Sequence, residues 1–281
     1  MALRTDLSLS EVEGRVMPIP TTLASASCAV LNAAAPAEKV ELSHRVADAW
    51  RNGTMTEIGT AILPDRPARP EKPELKDPRE MPRRRGAGSL AHRVALLHAV
   101  AHIEINAIDL AWDLIARFAS ADLPLEFYDD WVAVADQEAT HHALVSARLE
   151  ALGSAYGDLP AHDGLWQAAQ ATAHDLLARL AIVPLVLEAR GLDVTPEMIE
   201  KLRRQDDVAS VAALETIYRE EVEHVAAGQR WFRFECERRG MEPVATYREL
   251  VRRYHRGGLK PPFNRAARDK AGFESAFYEN V

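Results

Sequence analysis

Glu221 and His224 stand three residues apart inside an apolar run, and the chain carries that arrangement twice. On a helix, residues at i and i+3 share a face, so the carboxylate and the imidazole point the same way. Around them Leu214, Ile217, Glu221, His224, Gly228 and Trp231 step by three and four, the period of a buried helix seam. A second seam, Phe127, Trp131, Val134, Glu138, His141, Val145 and Leu152, has Glu-x-x-His at its centre. Two further seams each hold a single Glu. One is Leu90, Val94, Leu97, Ala101, Glu104, Ile108 and Ile115; the other is Leu177, Ala181, Pro184 and Glu188. Glu138 follows Glu104 by 34 residues and Glu221 follows Glu188 by 33, which reads as a repeat of two helical hairpins. Such polar groups are costly to bury unless they are paired or hold a metal.

Turn and cap residues divide the rest of the chain. Residues 1–62 read as an N-terminal helical extension, with short helices from about Thr22 and over 37–52, the latter closed by Asn52-Gly53. Residues 16–37 are small and apolar, but Pro18 and Pro20 interrupt them. Asp6, Glu11 and Glu13 precede them, where an export signal needs positive charge. Residues 63–88 form a Pro/Arg-rich linker: Pro64, Pro67, Pro70, Pro73, Pro78 and Pro82 exclude helix. Its arginines Arg79, Arg83, Arg84 and Arg85 read as a solvated or helix-docking strap, with an anionic-substrate site as the sharper alternative.

The bundle spans 89–240. Ser89 caps its first helix, which runs to about 118. The second opens at Leu123-Pro124 and closes near Gly153. The third runs from Asp163, bends at Pro184 and ends at Gly191. Thr195-Pro196 then starts a short helix to about 205. The fourth runs from Asp207 to Gly240. Residues 241–281 supply one more helix, over 244–255, and a tail. No alternating strand pattern appears, so the fold class is all-α, a four-helix bundle with additions at both ends.

Four carboxylates bring four negative charges, and two divalent ions balance them. Two neutral imidazoles complete the set. The expected metal ligands are therefore Glu104, Glu138, His141, Glu188, Glu221 and His224. Glu138 and Glu221 bridge, Glu104 and His141 serve one metal, and Glu188 and His224 serve the other. Oxygen and nitrogen ligation suits two Fe ions, with Mn possible. Glu220, Glu223 and His142 lie beside the motifs but off the seams, and read as solvent-side or supporting residues. His98 and His102 read as satisfied histidines. Asp109 and Asp136 are candidates for orienting a ligating histidine.

Three runs carry a resemblance: 97–104 (LHAVAHIE), 136–142 (DQEATHH) and 219–224 (REEVEH). A fourth, 258–264 (GLKPPFN), joins them. They look like the ferritin-like family catalogued as domain of unknown function 455, over about residues 40–275. The resemblance implies a ferritin-like fold and the six ligands named above; it implies no substrate. In ligand pattern alone the chain is also similar to di-iron tRNA hydroxylases and other di-iron oxygenases.

The expected function is a di-iron oxidase or oxygenase with dioxygen as co-substrate, acting on a small molecule or a nucleoside. Iron handling as a ferroxidase, and a metal-stabilised structural role, are the alternatives. No flavin or nicotinamide fingerprint is present, so a separate reductase is expected to supply electrons. A net charge of −8 disfavours a nucleic-acid footprint. No run reaches the roughly 18 apolar residues of a membrane span, so no membrane partner is expected. Cys28 and Cys236 are too few for a disulfide framework, which points to a reducing cytoplasm. A monomer or homodimer is expected. The tail keeps Phe263, Phe273, Phe277 and Tyr278, either to pack on the bundle or to close the metal pocket as a lid.

Overall fold

The computed structural model describes residues 18–77, 80–81, 88–255 and 257–281. Arg79 and Arg83 to Arg85, and with them the two readings of the arginine run, lie outside the described residues, as do Asp6, Glu11 and Glu13. The described chain is all-helical. Its only β-type pairings are isolated bridges, Thr22 with Glu57 and Leu75 with Ala161.

Most helix ends follow local chemistry. α1 (Leu23–Asn32) starts where Thr22 accepts from the Ser25 amide. α2 (Pro36–Arg51) has proline in its first turn, where a missing N–H costs nothing. α3 (Leu90–Arg117) is capped by Ser89, which accepts from His92 N. α4 (Leu125–Ala151) follows Pro124. α8 (Val208–Arg238) is capped by Asp207, which accepts from Ser210 N. α9 (Pro243–Tyr254) is capped by Glu242.

The third arm differs from the expectation of one helix ending at Gly191. It comprises α5 (Gly164–Ala171), α6 (Leu176–Ile182), a π-helical segment (Val183–Glu188) and α7 (Ala189–Arg203). The break after α5 is held by a buried arginine that the local sequence does not announce. Arg179 donates to Ala169 O, which also accepts from the Thr172 amide at the end of α5, and to Thr172 Oγ1 and Asp113. Asp163 sits at the start of α5 but accepts from Arg66 at 2.7 Å rather than capping the helix. Pro184 opens the π segment, where a wider turn absorbs its missing N–H. α7 runs straight through Gly191 and Pro196. Pro196 cannot donate to Leu192 O. Asn264 Nδ2, from the C-terminal tail, supplies that hydrogen bond at 3.0 Å.

α3 and α4 form one hairpin. α8 packs against α4, α6, the π segment and α7. α1 lies on α3 and α2 on α4. A buried ion cluster fixes that N-terminal pair: Lys39 Nζ reaches Asp109 Oδ1 at 2.6 Å and Val30 O at 2.8 Å, and Arg69 reaches Asp109 Oδ2 at 2.7 Å. In the tail, α10 (Arg265–Lys270) meets α7 and α8, and α11 (Ser275–Tyr278) meets α9. Phe273, Phe277 and Tyr278 are fully buried, with Phe273 and Phe277 packed edge-on around Tyr247.

By length and mean hydropathy α3 could cross a membrane, although polar residues such as His102, Glu104 and Asp109 interrupt its apolar run. Of its most apolar window, 78% is buried inside the protein, the pattern of a core helix.

Gly228 marks the closest approach of α8 to the π segment. A Cβ there would stand 2.4 Å from Pro184 Cβ and 2.7 Å from its Cγ, against a ring that cannot rotate away. Gly228→Ala gains about 1 kcal/mol in helix propensity. Overpacking of about 1–3 kcal/mol opposes it. The variant is expected to be less stable in urea denaturation. A midpoint at or above that of the parent would mean that the two segments can separate freely.

Candidate metal centre

The core divides into two apolar layers along the helices. One contains Leu97 and Ala101 of α3, Val145 and Leu149 of α4, and Leu214 and Ile217 of α8. The other contains Ile105 and Ile108, Ala135 and Ala139, and Val225 of the same three helices. Between these layers lies a polar plane. Glu104 enters it from α3, Glu138 and His141 from α4, Glu221 and His224 from α8, and Glu188 from the last position of the π segment. All six residues expected from the seams are thus drawn toward one place.

Both imidazoles present Nδ1 to the carboxylates. His141 Nδ1 stands 3.4 Å from Glu138 Oε2 and 3.5 Å from Glu104 Oε2. His224 Nδ1 stands 2.9 Å from Glu138 Oε1 and 3.8 Å from Glu221 Oε2. Glu138 therefore divides its two oxygens between the two rings, whose centroids are 5.6 Å apart. Ligand atoms of Glu104, Glu138, His141 and Glu221 all fall within 4.8 Å of one another. Glu138, His141 and His224 are fully buried, and Glu104 is 3% exposed.

The far nitrogens are held. His141 Nε2 pairs with Glu220 Oε2, and His224 Nε2 with Gln137 Oε1, both at 2.8 Å. With Nε2 donating, loss of the Nδ1 proton would leave each ring's lone pair facing the cluster. None of the near atoms completes a hydrogen bond. Glu104 Oε2, both Glu138 oxygens, His141 Nδ1, Glu188 Oε2, Glu221 Oε2 and His224 Nδ1 are buried without a partner. Orphaned buried polar atoms are rare. Here all six residues supply at least one, and all are metal-ligand atoms. Contacts of this length are those of neighbouring ligands around an ion, since metal–ligand bonds of about 2.1 Å at right angles put donors roughly 3 Å apart. The chemistry of the donor set fits metal binding, and Glu104, Glu138, His141 and Glu221 are close enough to share an ion.

The metal-free electrostatics are crowded. Burial raises the Glu104 pKa to about 8; His141 opposes the rise and Glu138 adds to it. Burial, then the charges of Glu138 and Glu104, hold Glu188 and Glu221 well above the usual carboxyl range. Burial works against a charged His141, but Glu104 and Glu138 outweigh it and push its pKa up to about 12. Burial likewise disfavours ionised Glu138, yet His224 and His141 prevail and hold it below the usual range. Without cations, the cluster keeps protons that metal ions would displace.

Neither proposed orienting aspartate has that role. Asp109 belongs to the Lys39 and Arg69 cluster. Asp136 pairs with His44 at 2.6 Å and Arg51 at 2.8 Å, because the N-terminal helices cover that side of α4. Gln137, which meets His224 Nε2, is not marked by the seam pattern. Its only signal is a polar side chain next to Glu138 on the side of α4 that faces α8. His142 turns away, toward Ala101 O, and burial lowers its pKa to about 4. Burial does the same to His102, which meets Tyr156 and His162 O.

A cavity of about 130 Å³ opens beside the cluster, with Glu104, Glu188 and Glu221 in its wall. The remaining lining is mostly apolar, including Val100, Ile103, Leu110, Leu187, Met198 and Ile217, with Arg190 and Thr195 as its polar members. The 258–264 segment does not line it, but Lys260 O and Pro262 O accept from Arg190 of its wall.

The fold and this plane define an all-helical protein built around a buried carboxylate–imidazole cluster. By sequence profile, over residues 32–279, the chain belongs to the family described as "Protein of unknown function (DUF455)". A Haemophilus influenzae protein, named only as an uncharacterized protein, is 45% identical over 209 residues, covering 73% of this chain and 72% of the relative. No solved structure matches.

Proposed function

We propose that the chain is a ferritin-like four-helix bundle whose six-residue cluster holds two iron ions, or manganese in their place. We further propose that it acts as a non-haem di-metal oxidase or oxygenase on a small organic substrate, with electrons from a separate reductase. The observation that carries the reading is the set of buried, partnerless ligand atoms on all six residues. Glu138 and Glu221 would bridge. Glu104 with His141, and Glu188 with His224, would complete the two sites. Two bound irons supply Lewis acidity and electrons to dioxygen. The chain's own part is to hold each imidazole in one tautomer through Glu220 and Gln137, to balance charge, and to exclude water with the apolar layers. Both cysteines are buried and unpaired, in keeping with a reducing cytoplasm.

The mostly apolar cavity in contact with Glu104, Glu188 and Glu221 favours an organic substrate over iron storage. Oxygen uptake separates the readings. Anaerobically iron-loaded protein is expected to consume dioxygen in one short phase and then stop until reductant and substrate are added. Continued oxidation of excess Fe²⁺ into a mineral core would rule for storage. A zinc-loaded protein that stays inert after iron exchange would rule for a structural role.

A further inference from the structure

A second cavity, of about 370 Å³, shares Leu187 and Arg190 with the first. Its wall carries Arg190, Lys260 and Arg268 against a single acidic group, Asp193. Arg268 is 2% exposed. Its Nε and Nη2 grip Asp193 at 2.9 and 2.7 Å, and Nη2 also reaches Ala189 O at 3.3 Å. Phe263, Phe273 and Tyr278 surround its guanidinium, with ring centroids 4.4–5.3 Å from Cζ. The Tyr278 hydroxyl is itself buried without a hydrogen-bond partner. Nη1 is left buried without a partner, and among the described residues no other arginine or lysine nitrogen is in that position. Leaving such a cationic donor unsatisfied is costly, and a site of this kind is completed by an acceptor.

The charge balance identifies the acceptor. Asp193 holds the Arg268 fork and also stands 3.5 Å from Arg190 Nη1, so one carboxylate faces three cations and the cavity is net positive. Arg190 Nη1 donates to Lys260 O at 2.8 Å and Pro262 O at 3.2 Å, which fixes the extended segment that carries Lys260 at the rim. The rest of the wall includes Val186, Leu187, Leu259 and Phe263, which suits an organic body better than a bare inorganic ion.

We propose that this cavity binds the oxyanionic group, carboxylate or phosphate, of a small organic anion, with Arg268 Nη1 as its buried donor and Lys260 and Arg190 at its rim. The apolar part of the ligand lies against Leu187 and Leu259. Leu187 and Arg190 also line the cavity beside Glu188, so the ligand sits one wall from the cluster. The anion site itself does not depend on the metal reading.

Titration calorimetry on the full chain tests it, with octanoate, octyl phosphate, inorganic phosphate and 1-octanol. At least one octyl anion is expected to bind about tenfold more tightly than 1-octanol, a gain of about 1.4 kcal/mol. Whichever anion wins identifies the head group. Arg268→Lys is expected to abolish that preference. Because that side chain is buried, Lys260→Ala offers an exposed alternative and is expected to weaken the anion several-fold while leaving 1-octanol unchanged. Equal binding of 1-octanol and both anions overturns the proposal, as does a Lys260→Ala protein with undiminished anion affinity. Inorganic phosphate binding as tightly as octyl phosphate overturns the organic ligand. Running the series on chelator-treated and metal-loaded protein keeps the outcome separate from that of the metal centre. Anion binding without metal upholds this site even if the cluster proves to hold none.

Discussion

Glu138→Ala protein from iron-supplemented cells is expected to lose most of its metal, where the parent carries about two ions per chain. Glu138 is the one carboxylate whose two oxygens face the two imidazoles separately, at 3.4 and 2.9 Å. In the proposed site, removing it would deprive both ions of a shared ligand, whereas removing Glu104 would directly deprive one. Two controls fix the register. His142→Ala is expected to keep its metal, because His142 is bonded to Ala101 O at 3.0 Å and faces away from the cluster. Glu220→Ala frees the Nε2 of His141 but removes no ligand. It is expected to lower affinity about 10–100-fold, so that it loads in excess iron and loses metal on dialysis. Elemental analysis, with far-UV circular dichroism to confirm folding, checks all three. Similar metal content in Glu138→Ala and the parent would sink the site. Loss from His142→Ala as complete as from Glu138→Ala would show that the helix faces are misassigned.

The six cluster residues were legible because helix geometry is local. A carboxylate on an apolar seam must be buried wherever the helix goes, and its neighbours at i+3 and i+4 show which face that is. The Ser89 cap and the helix starts at Thr22 and Asp207 were legible for the same reason. The third arm was not. The break before α6 depends on Arg179 reaching Asp113, and the continuity of α7 across Pro196 depends on Asn264 answering Leu192 O. Those partners lie 66 and 72 residues away, and no local pattern contains them. The same limit misled the reading of Asp109, whose partner Lys39 is 70 residues upstream. Gln137 sits within a quoted motif, yet its role needs the α4–α8 crossing to bring it to His224.

The thermal stability gained on loading the protein with Mn²⁺ is expected to grow as pH rises from about 5.5 to 8.5. In the metal-free protein, Glu104, Glu188 and Glu221 have folded pKa values raised above the unfolded value of about 4.3. A raised pKa contributes stability that is complete below the unfolded value and is lost as pH rises through the folded one, which for Glu104 is about 8. His141, raised to about 12, acts in the same direction above its unfolded value of about 6.5. Glu138 is depressed, so its contribution is present above about 4.3 and fades only as pH falls below that. Across the stated window the metal-free cluster therefore loses stability with rising pH. Loading has the opposite dependence. Mn²⁺ must displace the protons held by those carboxyls and by His141, so its affinity climbs with pH. Other titrating groups affect both forms alike and largely cancel in the difference. Free metal at about a thousand times its dissociation constant adds roughly 4 kcal/mol. For a chain of this size that is on the order of 10 °C in Tm, reached at the alkaline end. Scanning calorimetry of chelator-treated and Mn²⁺-loaded protein at several pH values reads the gap directly. Glu188→Gln, which removes one of the strained carboxyls, is expected to flatten the pH slope of the metal-free form. A gap that stays constant, or narrows toward alkaline pH, would mean that these carboxyls do not give up protons to a metal.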